Sequence, residues 1–328
     1  GSYIGSDGSV LTGILSRGVD VSQWQQNINW SAVAADAIQF AMIGARYNNA
    51  VDPYFETNVR GAAAAGLRVG VYLYSYATTT AMAESDADFV LNLIKDYPIS
   101  YPVVLDVEAQ EMNNLTPAQL SDIINAFCKK VETAGYYPMV YTNDYWINNK
   151  IDMTKVHYDV WIARYDAKPS YQGAAFWQAS NQGTVNGISG NVDINFSFKD
   201  LSGKLPANRW RLIGDKWYYY KNYVKQTGWI NDGQSWYYLN QDGTQYKGWL
   251  LLNNQYYYLL PTTGQMKTGW LQAEDAWYYL NSDGTMAKNW IQVDGKYYYL
   301  LNGAMVTGWL RIDTDYYYLR GDGSMVTG

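Results

Sequence analysis

Tyr101-Pro-Val-Val-Leu-Asp-Val-Glu108 is a short apolar run that closes on two carboxylates. Its length and its Val and Leu content read as a buried strand. Side chains alternate along a strand, so Asp106 and Glu108 leave it on one face while Val107 turns away. Comparable runs lie on both sides. Gly18–Val21, Phe40–Arg46 and Leu67–Tyr76 precede it; Tyr137–Tyr141, Val160–Arg164, Ala175–Ala179 and Val192–Phe196 follow. Helical patterns separate the early ones, over 31–37, 54–65, 80–96 and 116–134. The last of these has Thr116 as N-cap, Pro117 at the first helical position and Gly135 as terminator. Strands that alternate with helices build parallel βα units, and about eight of them in ~200 residues predict a small (β/α) barrel. Little helix separates the final strands, so the barrel is expected to be incomplete or irregular. An open doubly wound sheet is the alternative, weakened because no Gly-rich phosphate loop follows the first strand.

Barrel chemistry sits at the C-terminal strand ends. Besides Asp106 and Glu108, Asp20 lies in the first strand and Asp193 in the last, and first and last strands are neighbours in a closed barrel. Crowded carboxylates hold at least one proton near neutral pH. A protonated carboxyl can donate to a glycosidic oxygen while ionised partners stabilise a cationic sugar. Glu108, Asp106, Asp20 and Asp193 are therefore the catalytic candidates. An all-carboxylate Ca²⁺ or Mg²⁺ site is the competing use of such a cluster. The single histidine, His157, lies away from the strand ends, so no His-containing metal site is expected and no cofactor is called for. Around the same rim, Tyr74, Tyr76, Tyr141, Arg164, Tyr165, Trp177 and Gln178 are candidates to bind a sugar, by stacking and by their polar tips.

After about residue 202 a different grammar takes over. Trp recurs at 210, 229, 249, 270, 290 and 309, and seven residues after each comes another aromatic, at 217, 236, 256, 277, 297 and 316. Each opens an aromatic triplet, and Asp-Gly turn signals follow at 242–243, 283–284 and 322–323. Short aromatic strands joined by turns predict one hairpin per repeat, and stacked hairpins predict an all-β solenoid of about six repeats. The expected organisation is 1–16 as linker or expression remnant, 17–202 as the barrel and 203–328 as the array.

Composition narrows the partners. The chain holds 33 Tyr and 14 Trp against 7 Phe, which suits binding surface more than deep core. Residues 1–202 carry 12 Lys/Arg and 20 Asp/Glu, and 203–328 carry 12 and 10, so neither half has the basic face that nucleic acid requires. No apolar run is long enough for a membrane span. The lone Cys128 excludes an internal disulfide and reads as the buried face of a helix.

Five segments in order, Gly18-Val-Asp-Val-Ser-Gln-Trp-Gln25, Leu105-Asp-Val-Glu108, Trp161-Ile-Ala-Arg-Tyr165, Phe176-Trp-Gln178 and Val192-Asp-Ile-Asn195, together resemble glycoside hydrolase family 25, the Chalaropsis-type lysozymes. The resemblance implies an incomplete β/α barrel that cleaves the β-1,4 bond between N-acetylmuramic acid and N-acetylglucosamine. It implies Glu108 as general acid, Asp106 as the group that positions the substrate's N-acetyl arm, and Asp20 with Asp193 as the acidic floor. The repeats, as in Gly269-Trp270, Trp277-Tyr-Tyr-Leu280 and Asp283-Gly-Thr-Met286, resemble choline-binding or cell-wall-binding repeats. Aromatic cages attract quaternary ammonium. Trp229, Trp236, Trp249, Trp270, Trp277, Trp290, Tyr297 and Trp309 are the cage candidates, with Met266, Met286, Met305 and Met325 to close them. Peptidoglycan strands and a choline-bearing teichoic acid or other wall polymer are then the expected partners. The expected location is extracellular and wall-associated, although no signal peptide is visible. The competing readings are a wall-binding adhesin with an inactive barrel and a glucan-directed glycosidase.

Overall fold

The computed structural model describes residues 3–5 and 8–328. They form two compact units that divide between Lys225 and Gln226.

The first unit is built on a closed barrel of eight strands: β1 (Ser16–Val21), β2 (Phe40–Gly44), β3 (Arg68–Tyr74), β4 (Val103–Asp106), β5 (Pro138–Asn143), β6 (Asp159–Ala163), β7 (Phe176–Gly183) and β8 (Val192–Ser197). Neighbours from β1 to β7 pair in parallel. Strand β8 runs antiparallel to both β7 and β1 and closes the ring. Helices α1 (Trp30–Ala35), α2 (Phe55–Ala64), α3 (Thr80–Ile94), α4 (Pro117–Thr133) and α5 (Asp144–Asn149) fill only the first five crossovers. The barrel is thus closed but short of helices in its last third. Helix α4 starts as its sequence predicts: Thr116 and Gln119 form a reciprocal capping box and Pro117 fills the first turn.

Strand alternation sorts the core into two layers. Val103 and Leu105 face outward and pack, with Val71 and Val140, beneath the helices. Val104 faces inward with Phe40, Met42, Met139, Trp161 and Phe176, which plug the lumen. Phe40, Tyr101 and Phe176 pack together with centroids 5.2–5.3 Å apart, Phe176 stacked on the other two. Those rings fit only because the facing positions lack side chains: a Cβ on Gly18 would sit 2.4 Å from the Phe40 ring.

Two expectations about domain limits need correction. Among the residues assigned to a linker, Leu11 and Ile14 are buried and Tyr3 packs on Phe196 with ring centroids 5.0 Å apart. A few apolar side chains in a Gly/Ser background are enough to anchor that segment on β8. The first aromatic hairpin (Arg209–Ile213 with Lys216–Lys221) also belongs to the barrel's compact unit. Its Arg211 is buried, with the guanidinium 4.0 Å from the Tyr136 ring centroid and 4.4 Å from that of Tyr220. The Tyr220 hydroxyl donates to the Lys95 carbonyl at 2.6 Å, and Lys225 pairs with Asp96.

The second unit is a β-hairpin solenoid. Its hairpins are Gly228–Asn231 with Trp236–Leu239, Gly248–Leu252 with Gln255–Leu259, Gly269–Ala273 with Ala276–Leu280, Asn289–Val293 with Lys296–Leu301, and Gly308–Ile312 with Asp315–Leu319. No hairpin buries enough alone. Stacking supplies the rest: Trp229, Trp249, Trp270 and Trp290 each meet a tyrosine of the following hairpin, Tyr257, Tyr278, Tyr298 and Tyr317, edge to face at 4.9 Å. Backbone bonds from Met266 to Trp236 and from Met286 to Tyr256 tie successive repeats.

The lumen packing predicts a measurable cost. Gly18→Ala should destabilise the barrel by about 1–3 kcal/mol, the usual penalty for overpacking. All helices of the described residues lie in the first unit, so urea unfolding followed by helical circular dichroism reads this directly. An unchanged midpoint would contradict the packing described.

Candidate active site

The mouth of the barrel opens into a cavity of about 510 Å³. Asp20, Asp106, Glu108 and Asp193 all line it, so the structure brings the four predicted carboxylates together from β1, β4, the segment after β4, and β8. The reversed direction of β8 is what places Asp193 there. Its second residue lies at the rim where parallel strands end, in register with Asp20. Glu108 sits two residues beyond the end of β4 rather than within it. The chain stays extended that far because Val107 N–H donates to the Tyr141 carbonyl at 2.8 Å and Thr142 Oγ1 donates to the Val107 carbonyl at 2.7 Å. The alternation that places Asp106 and Glu108 on one face therefore survives the strand's end.

The acids form two hydrogen-bonded pairs. Asp193 donates to Asp20, and burial, with Asp20's charge next, pushes the Asp193 carboxyl up to about 9. Asp20 is itself raised by burial, partly offset by its hydrogen bonds: Oδ2 accepts from Gln178 Nε2 at 2.7 Å and Asn195 Nδ2 at 2.8 Å. Asp106 is hydrogen-bonded to Glu108; burial raises both, the charge of Glu108, their hydrogen bond and the charge of Asp20 raise Asp106 further, and the same hydrogen bond partly offsets the rise of Glu108. Like charges brought together oppose joint ionisation, so within each pair burial and the neighbouring charge favour a retained proton. Asp106 Oδ1 is buried with no hydrogen-bond partner. Among the described residues no group of three or more His, Cys, Asp and Glu side chains is arranged to hold a metal ion.

A ring of donors orients this cluster. Tyr141 and Tyr165 hydroxyls donate to Gln178 Oε1 at 2.7 and 2.8 Å, which leaves the Gln178 amide N–H to face Asp20. Trp161 Nε1 donates to Asn195 Oδ1 at 2.8 Å and fixes that amide in the same sense. Burial and the nearby carboxylates hold the Tyr141 phenol well above its ordinary value and move Tyr74 and Tyr165 to about 12, so all three remain hydrogen-bond donors.

Of the seven predicted sugar-binding residues, Tyr74, Tyr76, Tyr141, Tyr165 and Gln178 line the cavity, whereas Arg164 and Trp177 do not. Alternation is the reason. Phe176 and Gln178 face the lumen, so Trp177 points outward, packs on Phe196 and donates Nε1 to the Arg164 carbonyl at 2.8 Å. Arg164 pairs with Asp144 at 2.8 Å. Sequence reading passed over Tyr72, Trp161 and Asn195. Each lies two residues or one strand register from a residue that was singled out, so the same alternation would have found them. It also passed over Trp24, Arg46, Tyr47, Asn48 and Asp52, which reach the cavity from loops and carry no periodic signal.

In the second unit, the repeat candidates divide by role. Trp229, Trp249, Trp270 and Trp290 are packed edge to face against tyrosines of their own and the next hairpin. Trp309 meets Tyr318 of its own hairpin. Trp236, Trp277 and Tyr297 keep exposed faces.

The proton pairs have a pH signature. Asp193 keeps its proton in the folded barrel up to about pH 9 but in an unfolded chain only to about pH 4. Between those limits the folded state binds the extra proton, so this group's contribution to stability falls as pH rises through the window. Asp193→Asn keeps a donor toward Asp20 and removes the titration. Its melting temperature should therefore decline less steeply than the wild type's between pH 5 and 9, and parallel curves would refute the assignment.

Comparisons with known proteins agree with this geometry. Residues 19–188 match the model of glycosyl hydrolases family 25. Residues 226–269 and 267–307 match a choline-binding repeat, and 208–222 and 307–325 match a putative cell wall binding repeat. The uncharacterized protein YegX of Escherichia coli K12 is 34% identical over 189 residues, which are 55% of this chain and 68% of that protein. Lysozyme M1 of Streptomyces globisporus is 31% identical over 208 residues, 58% of this chain and 70% of that one. The crystal structure of the CTP1L endolysin superposes with a TM-score of 0.50 at 28% identity, covering 56% of this chain and 66% of the other. With the barrel, the carboxylates at its mouth and the family match in agreement, the chain belongs to glycosyl hydrolases family 25, as a lysozyme-type glycoside hydrolase followed by choline-binding repeats.

Proposed function

We propose that Glu108 is the general acid of a peptidoglycan hydrolase that cleaves the β-1,4 bond between N-acetylmuramic acid and N-acetylglucosamine. The observation that carries this reading is the convergence of Glu108 and Asp106, hydrogen-bonded to each other, with Asp20 and Asp193 in one cavity where burial raises both. When a 2-acetamido group enters, its N–H meets an acceptor at the unpartnered Asp106 Oδ1. A hydrogen bond there favours the ionised form of Asp106 and leaves the proton on Glu108. Glu108 then protonates the leaving glycosidic oxygen as the acetamido oxygen attacks the anomeric carbon. In the second half, Glu108 takes a proton from the water that opens the cyclic intermediate, and the anomeric configuration is retained. Asp20, ionised and held by Gln178 and Asn195, stabilises the developing positive charge, and Asp193 supports it as a neutral donor. Tyr74, Tyr76, Tyr141, Tyr165 and Gln178 bind the reacting sugars.

In this reading the barrel unit carries the chemistry and the hairpins after Lys225 the attachment. The exposed rings Trp236, Trp277, Tyr297 and Trp309, with the packed Trp229, Trp249, Trp270 and Trp290, hold quaternary ammonium groups of a choline-bearing teichoic acid or comparable wall polymer. Several weak sites on one array give avidity toward a polymer surface. The protein therefore acts outside the cell, on the wall. Among the described residues no helix is long and apolar enough to cross a membrane.

Two experiments test the two halves. Glu108→Gln should lower kcat on cell walls about 10²–10⁴-fold, the usual range for a general acid, while wild-type product seen by NMR appears first as the retained anomer. Equal clearing of walls by both proteins, or an inverted first product, would sink the mechanism. Choline should change the tryptophan emission of the full chain in a saturable way, and silence to choline with a response to glucan would reassign the array.

A further inference from the structure

The cavity does not end at the carboxylates. Its lip also takes in Trp24 and Tyr47, from the loops that follow β1 and β2. The Trp24 side chain is 72% exposed and that of Tyr47 39%, with ring centroids 5.9 Å apart and nearly perpendicular. A single exposed aromatic needs no explanation. This pair differs because it shares a cavity with the acids and because its supports are built in. Buried Asp52 joins the two loops: Oδ2 accepts from the Gln23 N–H at 2.9 Å and Oδ1 from the Tyr54 N–H at 2.8 Å. Ser22 and Gln25 close the turn that carries Trp24 with a reciprocal capping box. Arg46, beside Tyr47, is pinned by Asp86 at 2.9 Å and by the Tyr74 carbonyl at 2.8 Å. Loops held this way are preorganised, so little backbone entropy is lost when a ligand stacks on the rings they carry.

We propose that Trp24 and Tyr47 form an additional sugar subsite, a stacking platform for a pyranose ring of the same glycan strand adjoining the residues that react. The inference rests on the proposal that this cavity takes a glycan. A pyranose offers an apolar C–H face to an indole, and Asn48, lining the same wall, offers an amide to its hydroxyl or acetamido groups. Charge argues for a neutral sugar over an acidic stem peptide. Arg46 is the cation at this lip and is already paired with Asp86, while Asp52 adds a negative charge.

The test uses the full chain and glycan strands sorted by length, with their peptides removed and, in parallel, with them retained. Trp24→Ala should lower the ratio of kcat/KM on long strands to that on the shortest cleavable ones by about fivefold to tenfold, mainly through KM. Tyr47→Ala should lower it less, and Trp24→Tyr should restore most of it. A ratio unchanged in Trp24→Ala, whatever the absolute rate, overturns the subsite. So does a loss confined to strands that still carry peptide. Inactivity of the wild type on every strand would instead refute the hydrolase reading, and this inference with it.

Discussion

Four carboxyl groups held within one cavity cannot all be charged, and much of this protein's catalytic unit serves that constraint. Each acid is raised by burial, and each is hydrogen-bonded to a neighbouring acid. The pairing gives the site chemically distinct members from identical functional groups. Asp193 is pushed up by burial and by Asp20's charge, whereas the rise of Asp20 is partly offset by hydrogen bonds from Gln178 and Asn195. Asp106 and Glu108 are hydrogen-bonded to each other, and that bond raises one while it restrains the other. A site with the same residues spread apart would lose that differentiation, because each would return to ordinary ionisation.

The barrel makes the crowding tolerable. Beneath the acids, Phe40, Met42, Trp161 and Phe176 fill the lumen and keep water from below. Around them, Tyr141, Tyr165, Gln178, Asn195 and Trp161 form a hydrogen-bond chain that ends on Asp20. Every amide in the chain is oriented by a donor on its far side, so its N–H faces the carboxylate without reorganisation during reaction. The antiparallel closure by β8 belongs to the same logic. It shortens the fold by dispensing with crossover helices and still delivers an acid to the catalytic rim.

The aromatic hairpins solve a different problem with related means. A Trp or Tyr ring presents an electron-rich face, and edge-to-face packing satisfies it within the solenoid. Arg211 uses two such faces, Tyr136 and Tyr220, to bury a charge where the first hairpin meets the barrel's helices. That hairpin carries the repeat's aromatic pattern but spends it on an internal cation. The repeats thus differ in use while sharing a period.

What could be read from the chain alone follows from its periodicities. Period two placed Asp106 with Glu108, and the alternation of strand and helix placed them at a barrel mouth. The recurrence of Trp every 19–21 residues defined the hairpin array. Local chemistry likewise marked the start of α4. The outward turn of Trp177 is implicit in the same alternation, since Phe176 and Gln178 on either side face the lumen. Other features depended on contacts between distant parts of the chain. Leu11 and Ile14 become anchors only because β8 lies beneath them. Glu274 and Asp275 adopt left-handed turn geometry without a glycine to announce it. The antiparallel entry of β8 brings Asp193 beside Asp20, 173 positions earlier in the chain, and Asp52 draws the Trp24 and Tyr47 loops to one lip. A sequence records which face a side chain leaves from, since that is set by its own backbone. Which groups it then meets, and hence how its proton and its hydrogen bonds are shared, is set by strands and loops that only the closed barrel brings together.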